Sequence, residues 1–228
     1  MPSAHGDAAA VKLVTIGGDP RIQGVCVVFD PETLAPVAVL DGIALTNLRT
    51  AAVSALAVKH LAAPDPRRAL VFGRGPQGRA HAAALRAVLP SLEQVDVVGR
   101  EGQPHDVAAA AVICCATTAR EPLFDGARVA EHATVVAIGS HEPDAREVDG
   151  ALVARAAVVV ESRASALREA GDVVLAIAEG ALRAEELLTL ADLVRDGIAP
   201  NGPRLFKSTG MAWEDAVVAA AVVRSVGA

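Results

Sequence analysis

The stretch whose residues point most directly to chemistry covers residues 69–81, where an apolar run ends at closely spaced glycines and an alanine-rich helical pattern follows. Gly73, Gly75 and Gly78 stand in the spacing G-x-G-x-x-G, which is typical of a strand–turn–helix unit that binds a dinucleotide. We expect Gly73 to form the turn, Gly75 to let the backbone approach the pyrophosphate, and the first helical amides to face the phosphates. An ordinary turn between a strand and a helix is the alternative interpretation.

Arg49 is a second candidate, as the binder of an anion. Residues 46–61 predict a helix with Thr46 as its N-cap, which places Arg49 in the first helical turn. A cation is disfavoured there because the N-terminal end of a helix is already positive. An arginine in this position is best explained if it shares an anion with the free amides, and an exposed helical arginine is the alternative.

Arg100 bears on which dinucleotide binds. A second strand is predicted over residues 95–98 and ends in Gly99-Arg100. An acidic residue at this strand end usually bonds the ribose hydroxyls of NAD, whereas an arginine can meet the 2′-phosphate of NADP. Arg100 therefore predicts NADP, while Glu101 keeps NAD possible.

The elements that must position these residues predict an α/β fold with a Rossmann-type parallel sheet, because apolar runs alternate with helical patterns. Only residues 100–110 separate the second strand from the next apolar run, which leaves no room for a helix and a further strand. The sheet is therefore expected to lack one outer strand. We also predict that residues 1–10 are loose, that residues 184–194 form a helix, and that residues 212–226 form a buried helix.

Composition narrows the class of protein. The chain has 228 residues, enough for one large or two small domains, and is 52% hydrophobic but only 2% aromatic. Its net charge of −6 and the lack of a basic tract argue against a nucleic-acid partner. No apolar run is long enough to predict a membrane span, no metal-ligating cluster is predicted, and three cysteines without a disulfide pattern favour the cytoplasm.

Several stretches together resemble the ornithine cyclodeaminase/mu-crystallin family over almost the whole chain. The glycine motif alone is unspecific, but its combination with an Arg-Thr-Ala-Ala motif at this spacing is much more specific. The stretches are Lys12 after an apolar pair, Thr46-x-x-Arg49-Thr50-Ala51-Ala52, Gly73-x-Gly75-x-Gln77, Gly139-Ser140-x-x-Pro143 with Arg146-Glu147-Val148-Asp149, and Phe206-Lys207-Ser208-x-Gly210.

The resemblance implies a two-domain homodimer that holds NADP, with NAD possible, and binds a small carboxylated substrate. Residues 1–62, completed by the C-terminal helix 211–228, are expected to form the remnant of an α+β substrate-binding and dimerisation domain. Residues 63–210 are expected to form the dinucleotide-binding domain.

The resemblance also assigns roles to individual residues. Lys12 and His141 are the expected catalytic residues, and Arg49 and Thr50 are expected to bind the substrate, Arg49 through its carboxylate. The expected cofactor-binding residues are Gly73, Gly75, Gln77, Gly78, Arg100, Thr117, Gly139, Ser140, Lys207 and Ser208.

Two departures from the family pattern affect the functional hypothesis. Family members carry a longer segment before the lysine, usually with a second substrate-binding arginine, so the chain is expected to be an N-terminally truncated form. His141 also stands where the cyclodeaminases have an aspartate that serves deamination. This substitution favours the reductases of the family.

The sequence therefore predicts an NAD(P)H-dependent oxidoreductase that reduces a small cyclic imino acid such as pyrroline-2-carboxylate, or that acts on a 2-amino or 2-keto acid. Two alternatives stay open. One is an ammonia lyase of the ornithine cyclodeaminase type, and the other is a non-catalytic protein that binds NAD(P).

Overall fold

The computed structural model describes residues 2–6, 8–18, 22–99, 105–198 and 201–226. The chain divides into two compact units, one of residues 1–53 with 210–228 and one of residues 54–209. The strands are β1 (Pro2–His5), β2 (Ala8–Ile16), β3 (Ile22–Phe29), β4 (Pro36–Asp41), β5 (Arg68–Phe72), β6 (Gln94–Val98), β7 (Val112–Cys115), β8 (Thr134–Ala137), β9 (Ala157–Val160), β10 (Leu188–Thr189) and β11 (Arg204–Lys207). The helices are α1 (Gly42–Leu61), α2 (Pro76–Val88), α3 (Gly150–Val153), α4 (Arg163–Glu169), α5 (Gly171–Ala178), α6 (Leu190–Asp196) and α7 (Ala212–Val226).

The first unit is an antiparallel sheet in the order β1-β2-β3-β4, packed on one face against α7. Its core consists largely of small residues, among them Ala8, Ala10, Ala216 and Ala219, which allow the helix to approach the sheet closely. The prediction that residues 1–10 are loose is wrong for those that the structure describes. β1 pairs with the start of β2, because Ala8 and Ala10 extend the inward-facing alternation of that strand.

Helix α1 begins at Gly42, four residues before the predicted start. Asp41 is its cap, since the Asp41 carboxylate accepts hydrogen bonds from the amides of Ile43 at 2.7 Å and Ala44 at 3.0 Å. Thr46 lies inside the helix and donates its hydroxyl to the Gly42 carbonyl at 2.7 Å. The prediction of Thr46 as N-cap is therefore wrong, and Arg49 lies beyond the first turn, away from the free amides.

The second unit is built on a parallel sheet in the order β10-β9-β11-β8-β7-β5-β6. This sheet confirms the predicted α/β fold class of Rossmann type. Within the described residues no strand lies beyond β6, as the short segment 100–110 predicts.

Two elements of the second unit differ from the prediction. β11 lies between β8 and β9, although it has only two apolar residues between an arginine and a lysine, too few to be recognised as a buried strand. The helix predicted over residues 184–194 is wrong, because Thr189 caps a new helix, α6. Its hydroxyl accepts from the amide of Asp192 at 3.1 Å, while the Asp192 carboxylate accepts from the Thr189 amide at 3.2 Å.

None of the helices in the described part of the chain combines the length and the apolar character that a membrane crossing requires.

Candidate active site

Gly73 closes the turn between β5 and α2 in a conformation that favours glycine, with φ of +115°. Its amide donates to the Val98 carbonyl at 2.8 Å, which ties the turn to the end of β6. A Cβ at Gly73 would overlap the carbonyl oxygen of Ala116, at the end of β7. The loop is thus packed tightly between the two neighbouring strands.

Gly78 and Gly75 make the start of α2 into a cradle for a ligand. A Cβ at Gly78 would overlap the carbonyl oxygen of Gly73, so the first turn of the helix rests directly on the loop. A Cβ at Gly75 would meet no described heavy atom within 4 Å, and the backbone at this N-cap position is open to approach. The first turn of α2 carries no acidic residue, which leaves its positive end available to a phosphate. The cradle fits a dinucleotide pyrophosphate.

Glu147 holds together the loops that follow β7 and β8. Its fully buried carboxylate accepts from the Thr117 amide at 2.8 Å, the Thr117 hydroxyl at 2.7 Å and the Gly139 amide at 2.7 Å. Burial raises the pKa of Glu147, while the charge of Lys207 and these hydrogen bonds oppose the rise. Two of the expected cofactor-binding residues, Thr117 and Gly139, are therefore positioned by one carboxylate.

Lys207 performs a similar internal function at the end of β11. Its buried ammonium lies 2.9 Å from Oδ2 of Asp172 and donates to the Ser140 carbonyl at 2.6 Å. Oδ1 of Asp172 in turn accepts from the amides of Glu147 at 2.7 Å and Val148 at 3.0 Å. Lys207 thus positions Ser140. That Lys207 itself binds the cofactor stays a prediction.

Two further expected cofactor-binding residues, Ser208 and Gln77, form hydrogen bonds within the second unit. The Ser208 hydroxyl donates to Oε1 of Glu161, at the end of β9, at 2.6 Å. Gln77, in the first turn of α2, accepts through its carbonyl from Nδ1 of buried His81 at 2.8 Å. Arg100 lies outside the described residues, as does Glu101. His141 is exposed in the loop that follows β8.

A cavity of about 720 Å³ opens at the carboxyl ends of β5, β6 and β7. Gly99, which follows β6, and Thr118, which follows β7, line it together with Phe72, His105 and Phe124. The Phe72 and Phe124 rings stack with centroids 5.4 Å apart. Ligands of open parallel sheets bind at this end of the strands, and the cavity has the size of a small-molecule site.

The first unit contains a separate cluster of charged side chains. Nζ of Lys12, on β2, lies 2.8 Å from Oδ1 of Asp215, and Nε of Arg49, on α1, lies 3.2 Å from the same oxygen. Nη1 of Arg49 also lies 3.0 Å from Oε2 of Glu214. All four residues are buried, and Thr50 is buried beside Arg49. The structure thus brings Lys12 and Arg49 together and supplies two carboxylates for the two cations.

Four acidic residues of these clusters were not predicted from the sequence, namely Glu214, Asp215, Glu147 and Asp172. A signal for the first two does exist, since they are adjacent acids in an otherwise strongly apolar helix, which predicts burial with partners. Glu147 stands in one of the stretches that resemble the family, but no role was predicted for it, and no signal marks Asp172, whose partners come from distant loops.

The fold and the glycine cradle define a dinucleotide-binding α/β protein. The chain belongs to the ornithine cyclodeaminase/mu-crystallin family, whose sequence model matches residues 1–106 and 95–227. It is 36% identical to the Delta(1)-pyrroline-2-carboxylate reductase of Paracoccus denitrificans, over 91% of this chain and 74% of that protein. It is 34% identical to the ketimine reductase mu-crystallin of Rattus norvegicus, over 98% of this chain and 78% of that protein.

A solved structure agrees with this assignment. The Delta(1)-pyrroline-2-carboxylate reductase of Thermococcus litoralis, in complex with NADH and L-proline, matches with a TM-score of 0.84 and 29% identity. The match covers 93% of this chain and 76% of that one. Family membership and the glycine cradle together identify a nicotinamide dinucleotide as the cofactor.

Proposed function

We propose that this chain is a reductase that converts small cyclic imino acids, of the pyrroline-2-carboxylate type, into the corresponding cyclic amino acids. The observation that carries the proposal is the Lys12–Asp215–Arg49 arrangement, in which one carboxylate oxygen joins two buried cations. Such a substrate has a carboxylate for one cation and a nitrogen for the other. The relatives described above are a pyrroline-2-carboxylate reductase and a ketimine reductase, which supports the same reaction.

Arg49 is proposed to bind the substrate carboxylate. Its Nη1 and Nε face Glu214 and Asp215, whereas Nη2 has two further N–H groups with which to donate. A guanidinium fixed by buried carboxylates is held in one orientation, so it loses little conformational freedom when the substrate binds. Thr50 is proposed to contribute to the same pocket.

Lys12 is proposed to donate a proton to the substrate nitrogen. Reduction of the C=N bond places a hydride on carbon and a proton on nitrogen, and the bound nicotinamide ring supplies the hydride. The contact with Oδ1 of Asp215 at 2.8 Å fixes the position of the Lys12 amino group, whose N–H groups are donors. His141 remains a second proposed proton donor, because a histidine ring can donate through a ring N–H.

The proposal is tested by following the absorbance of NADPH and NADH with pyrroline-2-carboxylate as the substrate. A matched assay measures ammonia release from ornithine with NAD. We expect consumption of the reduced cofactor and no ammonia. Ammonia without that consumption would show a cyclodeaminase, and cofactor binding with silence in both assays would show a binding protein. Arg49→Ala should raise the Michaelis constant for the imino acid while cofactor binding stays intact.

We further propose that the protein is a homodimer formed through the open face of the first unit's sheet. Leu13, Val25, Val37 and Val39 are exposed large apolar residues on the face opposite the α7 side. A contiguous apolar surface of this kind is typical of an interface. The buried free thiols Cys26, Cys114 and Cys115 support a cytoplasmic location.

The dimer is tested by light scattering coupled to size exclusion. The wild type should elute with twice the mass of one chain, and Val39→Asp with Leu13→Asp should yield a monomer that retains its helical circular dichroism. A monomeric wild type would refute the dimer.

A further inference from the structure

Among the described residues, the carboxyl end of β6 carries no acidic side chain of the kind with which NAD-dependent folds of this class usually bind the adenosine ribose. The first residue after the strand is Gly99, which has no side chain. The described acid nearest to it in the sequence, Asp96, lies within the strand and is paired with Nη2 of Arg68 at 3.1 Å. No described residue at this strand end therefore offers a carboxylate to the ribose 2′-hydroxyl.

A positively charged side chain lies beside Gly99 instead. A Cβ built on Gly99 would point at the guanidinium of Arg74, at 3.5 Å from Nη1 and 3.6 Å from both Cζ and Nε. Arg74 is the second residue of the glycine loop, and it is exposed. It forms no ion pair with any of the described residues, so its charge is not already neutralised within that part of the chain.

The surroundings of Arg74 add positive potential. Nη1 of Arg79 donates to the Arg74 carbonyl at 2.6 Å, which brings a second guanidinium to the loop. The first turn of α2 lies between the two arginines and has no acidic residue. The two guanidinium groups and the positive N-terminal end of α2 favour a phosphate over a neutral hydroxyl.

We propose that Arg74 binds the 2′-phosphate of NADP and makes the chain prefer NADPH to NADH. The inference rests on the proposed function only in taking the cofactor to be a nicotinamide dinucleotide. It assigns the preference to a described residue, independently of Arg100. A charged hydrogen bond between guanidinium and phosphate corresponds to roughly a tenfold to hundredfold difference in affinity.

Fluorescence titrations of wild type, Arg74→Ala and Arg86→Ala with NADPH and with NADH test the proposal. Arg86 is an exposed arginine near the far end of the same helix, so its variant controls for a general loss of positive charge. We expect Arg74→Ala to raise the dissociation constant of NADPH about tenfold or more and to leave that of NADH within about twofold. Arg86→Ala should change neither constant.

Fragments of the cofactor provide a second test of the proposal, because they bind without turnover. Adenosine 2′,5′-bisphosphate should displace NADPH from the wild type far better than adenosine 5′-monophosphate does, and Arg74→Ala should abolish that difference. An equal loss of NADPH and NADH affinity would show that Arg74 contacts a part common to both, and an unchanged preference would exclude it; either result overturns the proposal. Selective binding without imino acid reduction would instead refute the proposed function and leave this inference standing.

Discussion

Nζ of Lys12 and Oδ1 of Asp215 lie 2.8 Å apart, although 203 positions separate the two residues in the chain. Their side chains are 4% and 3% exposed, so the pair is almost wholly removed from water. Because Asp215 also contacts Arg49, the charges proposed to bind the substrate depend on an anion supplied by the C-terminal helix α7.

Asp215→Asn should both destabilise the protein and impair its activity. The change leaves Lys12 and Arg49 buried with one carboxylate fewer, and loss of one member of a buried pair costs about 3 kcal/mol or more in the free energy of unfolding. Urea denaturation and steady-state kinetics measure the two effects. Glu93→Gln, at the exposed Arg67–Glu93 pair, is the control and should leave both the urea midpoint and the activity unchanged. Equal behaviour of the two variants would remove Asp215 from the mechanism.

Gly75→Ala and Gly78→Ala should separate cofactor binding from folding. A methyl group at position 75 meets no described atom within 4 Å, so it should cost only about 1 kcal/mol, the loss of a glycine N-cap, while it obstructs the pyrophosphate. A methyl group at position 78 overlaps the Gly73 carbonyl and should cost about 2 kcal/mol. Thermal denaturation and NADPH titration distinguish them. Unimpaired cofactor affinity in Gly75→Ala would contradict the cradle.

Gly210→Ala should raise the Michaelis constant for the imino acid by about tenfold, by displacing Arg49. A Cβ at Gly210 would lie 2.5 Å from Nη1 and 2.9 Å from Nη2 of that arginine, and the residue has φ of +78°. Gly180→Ala is a matched control, since Gly180 has φ of +76° and its Cβ would meet nothing within 4 Å. The two variants share the backbone strain, so a kinetic defect common to both would argue against a role for Gly210 in placing Arg49.

His81 should make the protein less stable below about pH 6.5. Nδ1 donates to the Gln77 carbonyl, which can only accept, so the neutral ring accepts at Nε2 from the Ser54 hydroxyl, 2.9 Å away. Burial lowers the pKa of His81 from 6.5, and the Gln77 carbonyl opposes the change. The unfolded chain therefore takes up the proton first, and the contribution of the neutral ring is present above pH 6.5 and lost as the pH falls.

Urea midpoints measured between about pH 5 and pH 8 test this dependence. The slope should flatten in His81→Gln and persist in His60→Gln, where the histidine is exposed. An unchanged slope in His81→Gln would assign the acid sensitivity to another group.

The glycine loop and most of the parallel sheet were predictable because their signals are local. The spacing of Gly73, Gly75 and Gly78 reflects contacts within a few residues, and the buried strands beside them are continuous apolar runs. The start of α1 was misplaced by one turn because Asp41 and Thr46 are both residue types that cap helices, and in the structure the first helical amides donate to Asp41.

The partners of the buried charged side chains could not be predicted from local sequence patterns. Lys12 was recognised by family resemblance and Arg49 also by its place near a helix start, but their partners Glu214 and Asp215 lie more than 160 positions away. Glu147 belongs to a stretch that resembles the family, but its role in the structure follows only from the amides of Thr117 and Gly139 that converge on it. Contacts of this kind are set by topology, which a single sequence does not reveal.

The position of β11 between β8 and β9 has a consequence for synthesis of the chain on the ribosome. Domains generally fold in order as they emerge, with the N-terminal one first. In this chain the second unit lacks an interior strand until residue 207 has been made, and the first unit lacks α7 until residue 226 has been made. The second unit can therefore complete its sheet only after residue 207 has been made, and the first unit can complete its core only after residue 226. Until then the emerging polypeptide exposes unfinished sheet that chaperones are suited to cover.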